Sequence, residues 1–191
     1  MLGVLFSANV IDAAVPLPGN PQTVNTGPAA PQNPGQPANP GQPANPANPG
    51  PIAAGDAVDI GNGVTVRPPT GWSVVGQDSG MTGFSKGNVI VIAGGIAWQD
   101  TAVSLATQYR DAWFKQGQFT GEDPQTGAIN DFDGAVLNYT GTLQGKQVDG
   151  GIVALVKGGK AALLNMFGPT GSLKDVSGDL NDFINSVQIG G

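Results

Sequence analysis

Apolar and polar positions alternate with period two through residues 135–143, where Leu137, Tyr139 and Leu143 face one way and Asn138, Thr140 and Thr142 the other. This is the mark of a strand packed on one side and wet on the other. Further along the alternation disappears. Ile152, Val153, Ala154, Leu155 and Val156 are consecutive apolar residues, and residues 161–167 are nearly so, as expected of inner strands covered on both faces. Gln144-Gly145 and Gly158-Gly159 separate these runs, and both suit the tight turns of antiparallel hairpins, because glycine takes positive φ at no steric cost. Residues 135–167 therefore predict a three-stranded meander, and something must cover each of its faces.

The remaining elements follow from the same reading. In residues 57–67, Asn62-Gly63 lies between the alternating pairs Val58/Ile60 and Val64/Val66, a strong hairpin signal. Pro68-Pro69-Thr70-Gly71 breaks that strand, and an extended pattern resumes at Trp72. Phe84 and residues 89–93, on either side of Lys86-Gly87-Asn88, predict a second hairpin whose later strand is apolar on both faces. Residues 101–116 place Ala102, Leu105, Ala106, Tyr109 and Trp113 at helical spacing, with Asp100 or Thr101 as N-cap and Gly117 as the C′ stop. Residues 119–134 read as a turn-rich connection. After the meander, Leu173, Val176, Leu180, Phe183, Ile184 and Val187 line one side of a second helical region, with Ser172 and Asp175 at capping-box spacing and Gly178 as a break. The two helices are the expected covers for the sheet.

Composition divides the chain into three parts. Twelve of its 16 prolines precede Ile52, and no Lys or Arg precedes Arg67. Residues 1–14 open with an apolar run, residues 1–11, shorter than the roughly 20 residues that span a bilayer; we read it as the remnant of a signal or membrane segment. Residues 15–55 contain the hexapeptide Asn-Pro-Gly-Gln-Pro-Ala twice, from Asn33 and from Asn39. Such a Pro/Gly/Asn/Gln-rich linker favours extended, solvated conformations, and it reads as a spacer. Residues 56–191 remain as one α+β domain of ordinary size.

Charge and residue types narrow the function. A net charge of −6 with no cluster of Lys and Arg argues against nucleic acid as a partner. Cysteine and histidine are both absent, which removes thiolate chemistry, the commonest general base and the commonest metal ligand. Gly83-Phe84-Ser85-Lys86-Gly87 matches G-x-S-x-G, but no histidine can activate Ser85, and a strand rather than a helix follows. Asp131 and Asp133 lack the other ligands of a calcium loop, and the single glutamate, Glu122, adjoins Asp123 in a turn-like stretch. No cofactor, metal or catalytic residue is predicted. Trp98, Tyr109, Trp113, Phe114 and Phe119 are the expected lining of an apolar groove between the first helix and the sheet, one that could take an acyl chain or a partner's side chain.

The order of elements, with the motif Val64-Thr65-Val66-Arg67-Pro68-Pro69-Thr70-Gly71-Trp72, the helix around Tyr109 and Phe114, and the ending Asp182-Phe183-Ile184-Asn185-Ser186-Val187, resembles the Mog1/PsbP-like α/β/α sandwich. More narrowly it resembles the small exported actinobacterial envelope proteins of the mycobacterial LpqN type. The resemblance covers roughly residues 57–189 and implies an antiparallel sheet flanked by helices. It also implies a non-enzymatic, extracytoplasmic accessory domain that docks to an envelope protein or membrane complex. With no cysteine for a lipobox, the expected anchor is a membrane segment. A carrier of lipid or another apolar ligand is the alternative, and a hydrolase running on carboxylates and serine alone is the remote one.

Overall fold

The computed structural model describes residues 55–78 and 80–190. Residues 1–54, with the expected membrane-segment remnant and nearly all of the linker, lie outside the described residues. The strands are β1 (Val58–Gly61), β2 (Val64–Val66), β3 (Ser73–Asp78), β4 (Met81–Lys86), β5 (Val89–Ala97), β6 (Gln118–Gly121), β7 (Gln125–Ile129), β8 (Phe132–Leu143), β9 (Lys146–Lys157), β10 (Lys160–Pro169) and β11 (Gln188–Ile189). The helices are α1 (Ala102–Trp113) and α2 (Ser177–Asn185), each adjoined by a 3-10 turn, Phe114–Gln116 after α1 and Ser172–Val176 before α2.

One antiparallel sheet runs β3-β4-β5-β10-β9-β8-β6, with β7 also paired to β8. Its centre is the expected meander. Gln144 and Gly145, like Gly158 and Gly159, take φ between 51° and 78°, the paired positive values of a turn whose twist matches that of its strands. The register sets Tyr139 opposite Gly150 and Gly150 opposite Phe167, with Asn165 opposite both Ile152 and Ile92.

Two cores lie on opposite faces of the sheet. On one, α1 buries Leu105, Ala106, Tyr109 and Trp113 against Leu137, Ile152, Leu163 and Phe167. On the other, Trp72, Phe183, Val187 and the β1–β2 hairpin pack on Phe84, Val91, Val153 and Leu164. Burying each such large side chain contributes about 1.5–3 kcal/mol, and the result is the α/β/α sandwich that the sequence predicts. Trp72 Nε1 donates to Asp179 Oδ2 at 2.9 Å and Lys86 Nζ to the same oxygen at 2.6 Å, so one carboxylate ties α2 to β3 and β4. Thr101 is the N-cap of α1, its Oγ1 accepting from Ser104 N, and Asp133 Oδ2 accepts from Ala102 N at 3.0 Å.

Four features differ from expectation. Residues 119–134 are more than a connection, because β6 and β7 pair with β8 at the sheet edge. Their Gln, Thr and Gly residues are mostly exposed on both faces and carry no periodic signal. Ser172 and Asp175 form no capping box: Gly171, at φ 85°, is the N-cap, and Ser172 Oγ is buried without a partner. The helical region breaks at Val176, whose φ of −122° leaves the helical range, while Gly178 lies inside α2. Gly117 does follow the helix, but with φ −157° in an extended conformation and for a packing reason, since a Cβ there would lie 2.6 Å from the Thr142 carbonyl oxygen. In addition, β11 pairs with β2 to make a small separate sheet, β1-β2-β11. That sheet lies across Gly95, where a Cβ would come within 2.7 Å of Val64 Cβ, and Asn62 Nδ2 donates to the Gly95 carbonyl at 2.7 Å.

Candidate functional site

Four of the five predicted groove residues come together at the C-terminal end of α1. Trp113 stacks on Tyr109 at 6.4 Å and on Phe119 at 5.8 Å between ring centroids, and tilts against Phe167 at 5.3 Å. Phe114 and Phe119 both meet Tyr139 edge-on, at 5.7 and 5.4 Å. Such offset and edge contacts suit the ring quadrupoles and add about 0.5–1.5 kcal/mol each beyond area burial. Tyr109 and Trp113 are wholly buried, whereas Phe114 and Phe119 are half-buried. Trp98 stands apart at the other end of α1, its Nε1 donating to the Thr101 carbonyl at 3.1 Å. The space between α1 and β8–β10 is thus filled by the chain's own rings.

Beneath the rings lies a polar network. Tyr139 Oη donates to Asn165 Oδ1 at 2.8 Å, and Asn165 Nδ2 donates to Tyr109 Oη at 3.3 Å. Tyr139 reaches β10 from β8 only by crossing β9, and it crosses at Gly150, where a side chain would overlap its ring. Burial pushes both phenols well above their ordinary range; an Asn165 hydrogen bond opposes this at Tyr109, and the adjacent Tyr109 adds to it at Tyr139. The buried Trp113 N–H meets no acceptor with hydrogen-bond geometry and is left unpaired.

Outside this cluster the surface dips into a shallow depression of about 310 Å³ lined by Thr120, Gly121, Glu122, Asn138, Tyr139 and Thr140. Thr120 pairs with Thr140 across β6 and β8. Gly121 keeps the wall thin, because a Cβ there would lie 2.8 Å from Phe114 Cζ. Arg110 on α1 holds the β6–β7 corner through Asp123 at 2.7 Å and also binds Asp111. A second depression, of about 500 Å³, lies between β1 and the β3–β4 turn, with Asp59, Gln77, Asp78 and Thr82 in its wall. Asn138, Thr140 and Thr120 escape sequence reasoning because exposed polar strand residues look alike until β6 is placed beside β8.

The residues weighed for catalysis are dispersed. Ser85 faces the α1 side of the sheet, while Lys86 binds Asp179 near α2. Asp131 pairs with Lys157, Asp133 caps α1, and Asp123 holds Arg110. Among the described residues no group of three or more His, Cys, Asp or Glu could hold a metal ion, and no helix is long and apolar enough to cross a membrane.

No protein-family model matches the chain, and no curated protein matches it in sequence. Solved structures match in fold. Cyanobacterial PsbP (CyanoP) of Synechocystis is similar at TM-score 0.53 and 12% identity, over 73% of this chain and 95% of that one. LpqN of Mycobacterium tuberculosis, described as involved in cell envelope biogenesis, is similar at TM-score 0.52 and 13% identity, over 71% and 90%. The Ran-binding protein Mog1p of Saccharomyces cerevisiae is similar at TM-score 0.51 and 9% identity, over 70% and 94%. A Bacteroides thetaiotaomicron protein matches 73% of this chain at TM-score 0.53 and 13% identity, and there the chain spans only 50% of that protein's length.

Proposed function

With a Mog1/PsbP-like sandwich as the starting point, we propose that the chain is a non-enzymatic binding domain, displayed on a Pro-rich stalk, that docks onto a protein of the cell envelope. The observation that carries this reading is the depression at the β6–β8 edge. It is open and shallow and lined by Thr120, Asn138 and Thr140, and behind it, on the α1 side of the same strands, Tyr109 and Trp113 are sealed while Phe114 and Phe119 are half-buried. An open, hydrogen-bonding surface on a rigid, well-packed strand pair suits a protein partner. A carrier would instead need an enclosed apolar cavity, and the space under α1 is filled. Two similar folds support a binding role by analogy only: one is named as Ran-binding and another as part of envelope biogenesis. On this reading Thr120, Asn138 and Thr140 contact the partner, Phe114 and Phe119 are reached only around the sheet edge, and Tyr109 and Trp113 hold the edge strands from behind.

The test is capture of a cross-linked partner from envelope membranes by the full chain and by two variants. Thr140→Arg should abolish capture with an unchanged Tm. Thr126→Arg, on the exposed β7, should leave it intact. Equal capture by all three chains refutes the assignment of this face.

A further inference from the structure

Two features meet at the tip of the β1–β2 hairpin. Asn62-Gly63 is the one place in the sequence where asparagine precedes glycine, and both residues are exposed, at φ 53° and 73°. The Asn62 carboxamide is also the latch of the hairpin, since its Nδ2 donates to the Gly95 carbonyl of β5 at 2.7 Å. The hairpin rests directly on that backbone, for a Cβ at Gly95 would overlap the Gly61 carbonyl oxygen.

We propose that Asn62 is a site of spontaneous deamidation, and that its conversion releases the small sheet β1-β2-β11 from β5. Water is the sole co-reactant. The Gly63 amide nitrogen attacks Asn62 Cγ, its proton leaves with the side-chain nitrogen as ammonia, and a five-membered imide joins the two residues. Water then opens the imide. Breaking the bond from Gly63 N to Cγ gives aspartate, and breaking the bond from Gly63 N to the Asn62 main-chain carbonyl gives isoaspartate, whose backbone runs through the former side chain. No atom is oxidised or reduced.

The surroundings of the tip favour the step. Gly63 has no side chain to shield its nitrogen, and among the described residues a Cβ there would meet the Lys160 ammonium alone, at 3.5 Å from Nζ. That ammonium, which donates to the Gly190 carbonyl at 2.7 Å, favours loss of the Gly63 amide proton, as a nearby positive charge favours any anion. The strands behind the tip are four and three residues long, and short elements open locally at small cost, which frees the carboxamide from Gly95. Either product then fails as a latch. A carboxylate has no proton to donate and sets a charged oxygen against the Gly95 carbonyl. Isoaspartate also adds a backbone atom to the turn, which undoes the pairing of Gly61 with Val64. Because β11 is held by Val64 and by the Gly63 carbonyl, the last strand loosens with the hairpin. The change runs one way, so the loosened form accumulates with the age of the chain. The inference rests on no feature of the docking depression.

The test is made on the full chain, aged at mildly alkaline pH and sampled over time. Peptide mapping should find the mass gain of an amide-to-acid change, and labelling by an isoaspartyl methyltransferase, several-fold faster at Asn62 than at Asn130. The latter is the matched control, being exposed and at φ 55° but followed by Asp131. Hydrogen exchange at Val64, Val66 and Ile189 should quicken in step with the conversion while β9 and β10 keep theirs, and Asn62→Asp should show the same quickened exchange without ageing. Conversion at Asn62 no faster than at Asn130 overturns the proposal. So does exchange at Val64 and Val66 that is unchanged both in the converted chain and in Asn62→Asp.

Discussion

Replacing Gly150 by Ala tests whether the ring crossing of β9 organises the first core. A methyl group at this position would overlap the Tyr139 ring and lie 2.6 Å from its Cε1. Tyr139 is 2% exposed and is held by Phe114 and Phe119, so it has no free volume to enter. Forcing one extra carbon into such a site costs about 1–3 kcal/mol. Displacing the ring also breaks the Tyr139–Asn165 hydrogen bond, and an orphaned buried amide adds about 1–3 kcal/mol. We expect Gly150→Ala to lose about 2–5 kcal/mol of stability in urea-induced unfolding, out of the 5–15 kcal/mol typical of a domain. In a Tyr139→Leu background the same change should cost less than about 1 kcal/mol, since the obstructing ring is gone. A Gly150→Ala chain within about 0.5 kcal/mol of the parent, or a cost unchanged by Tyr139→Leu, refutes the reasoning.

Other consequences are open to direct measurement. Asp179 is held below the usual carboxylate range by Lys86 first and Trp72 second, so the stabilisation it gives is present above about pH 4 and lost as pH falls below it; Asp179→Asn should be less stable by about 1 kcal/mol at pH 7, with the gap closing in acid, as followed by urea-induced unfolding at each pH. Both tyrosines of the chain, Tyr109 and Tyr139, have phenols pushed well up by burial. No phenolate absorbance should therefore appear at pH 10–11 in the folded protein, and stability should decline above about pH 10, where the unfolded phenols ionise. Asp133→Ala and Thr101→Ala should each cost about 1 kcal/mol in thermal unfolding by freeing donors at the start of α1. Gly95→Ala should drive the β1–β2 hairpin off the sheet, read as accelerated hydrogen exchange at Val64 and Val66 with the β8–β10 meander unaffected.

What the sequence discloses depends on whether a residue's neighbours are local. The turns at Asn62-Gly63, Gln144-Gly145 and Gly158-Gly159 are written in two adjacent residues, and all three stand as read. So does α1, whose stripe and N-cap lie within 13 residues. By contrast β6 and β7 exist because β8 offers an edge, and nothing within residues 118–129 declares it. Tyr109, Trp113, Phe114 and Phe119 are legible as aromatic residues near one helix. That Gly150 opens the way for Tyr139 to reach Asn165 is a fact of register, and register shows only once three strands are aligned. The depression is invisible for the same reason: Thr120 and Thr140 become neighbours through pairing, 20 residues apart in sequence.

The small sheet carries a consequence for how the chain is made. β2 pairs on one side with β1, a few residues away, and on the other with β11, Val64 lying opposite Ile189 and Gly190 N donating to the Gly63 carbonyl at 3.0 Å. A chain that emerges vectorially, at about 5–20 residues per second from a ribosome, must therefore hold its first hairpin with one bare edge until residue 189 arrives. Closure of this sheet is a late folding event with a long loop to close, and during that interval the exposed edge of β2 is the place where a chaperone or a second nascent chain would bind.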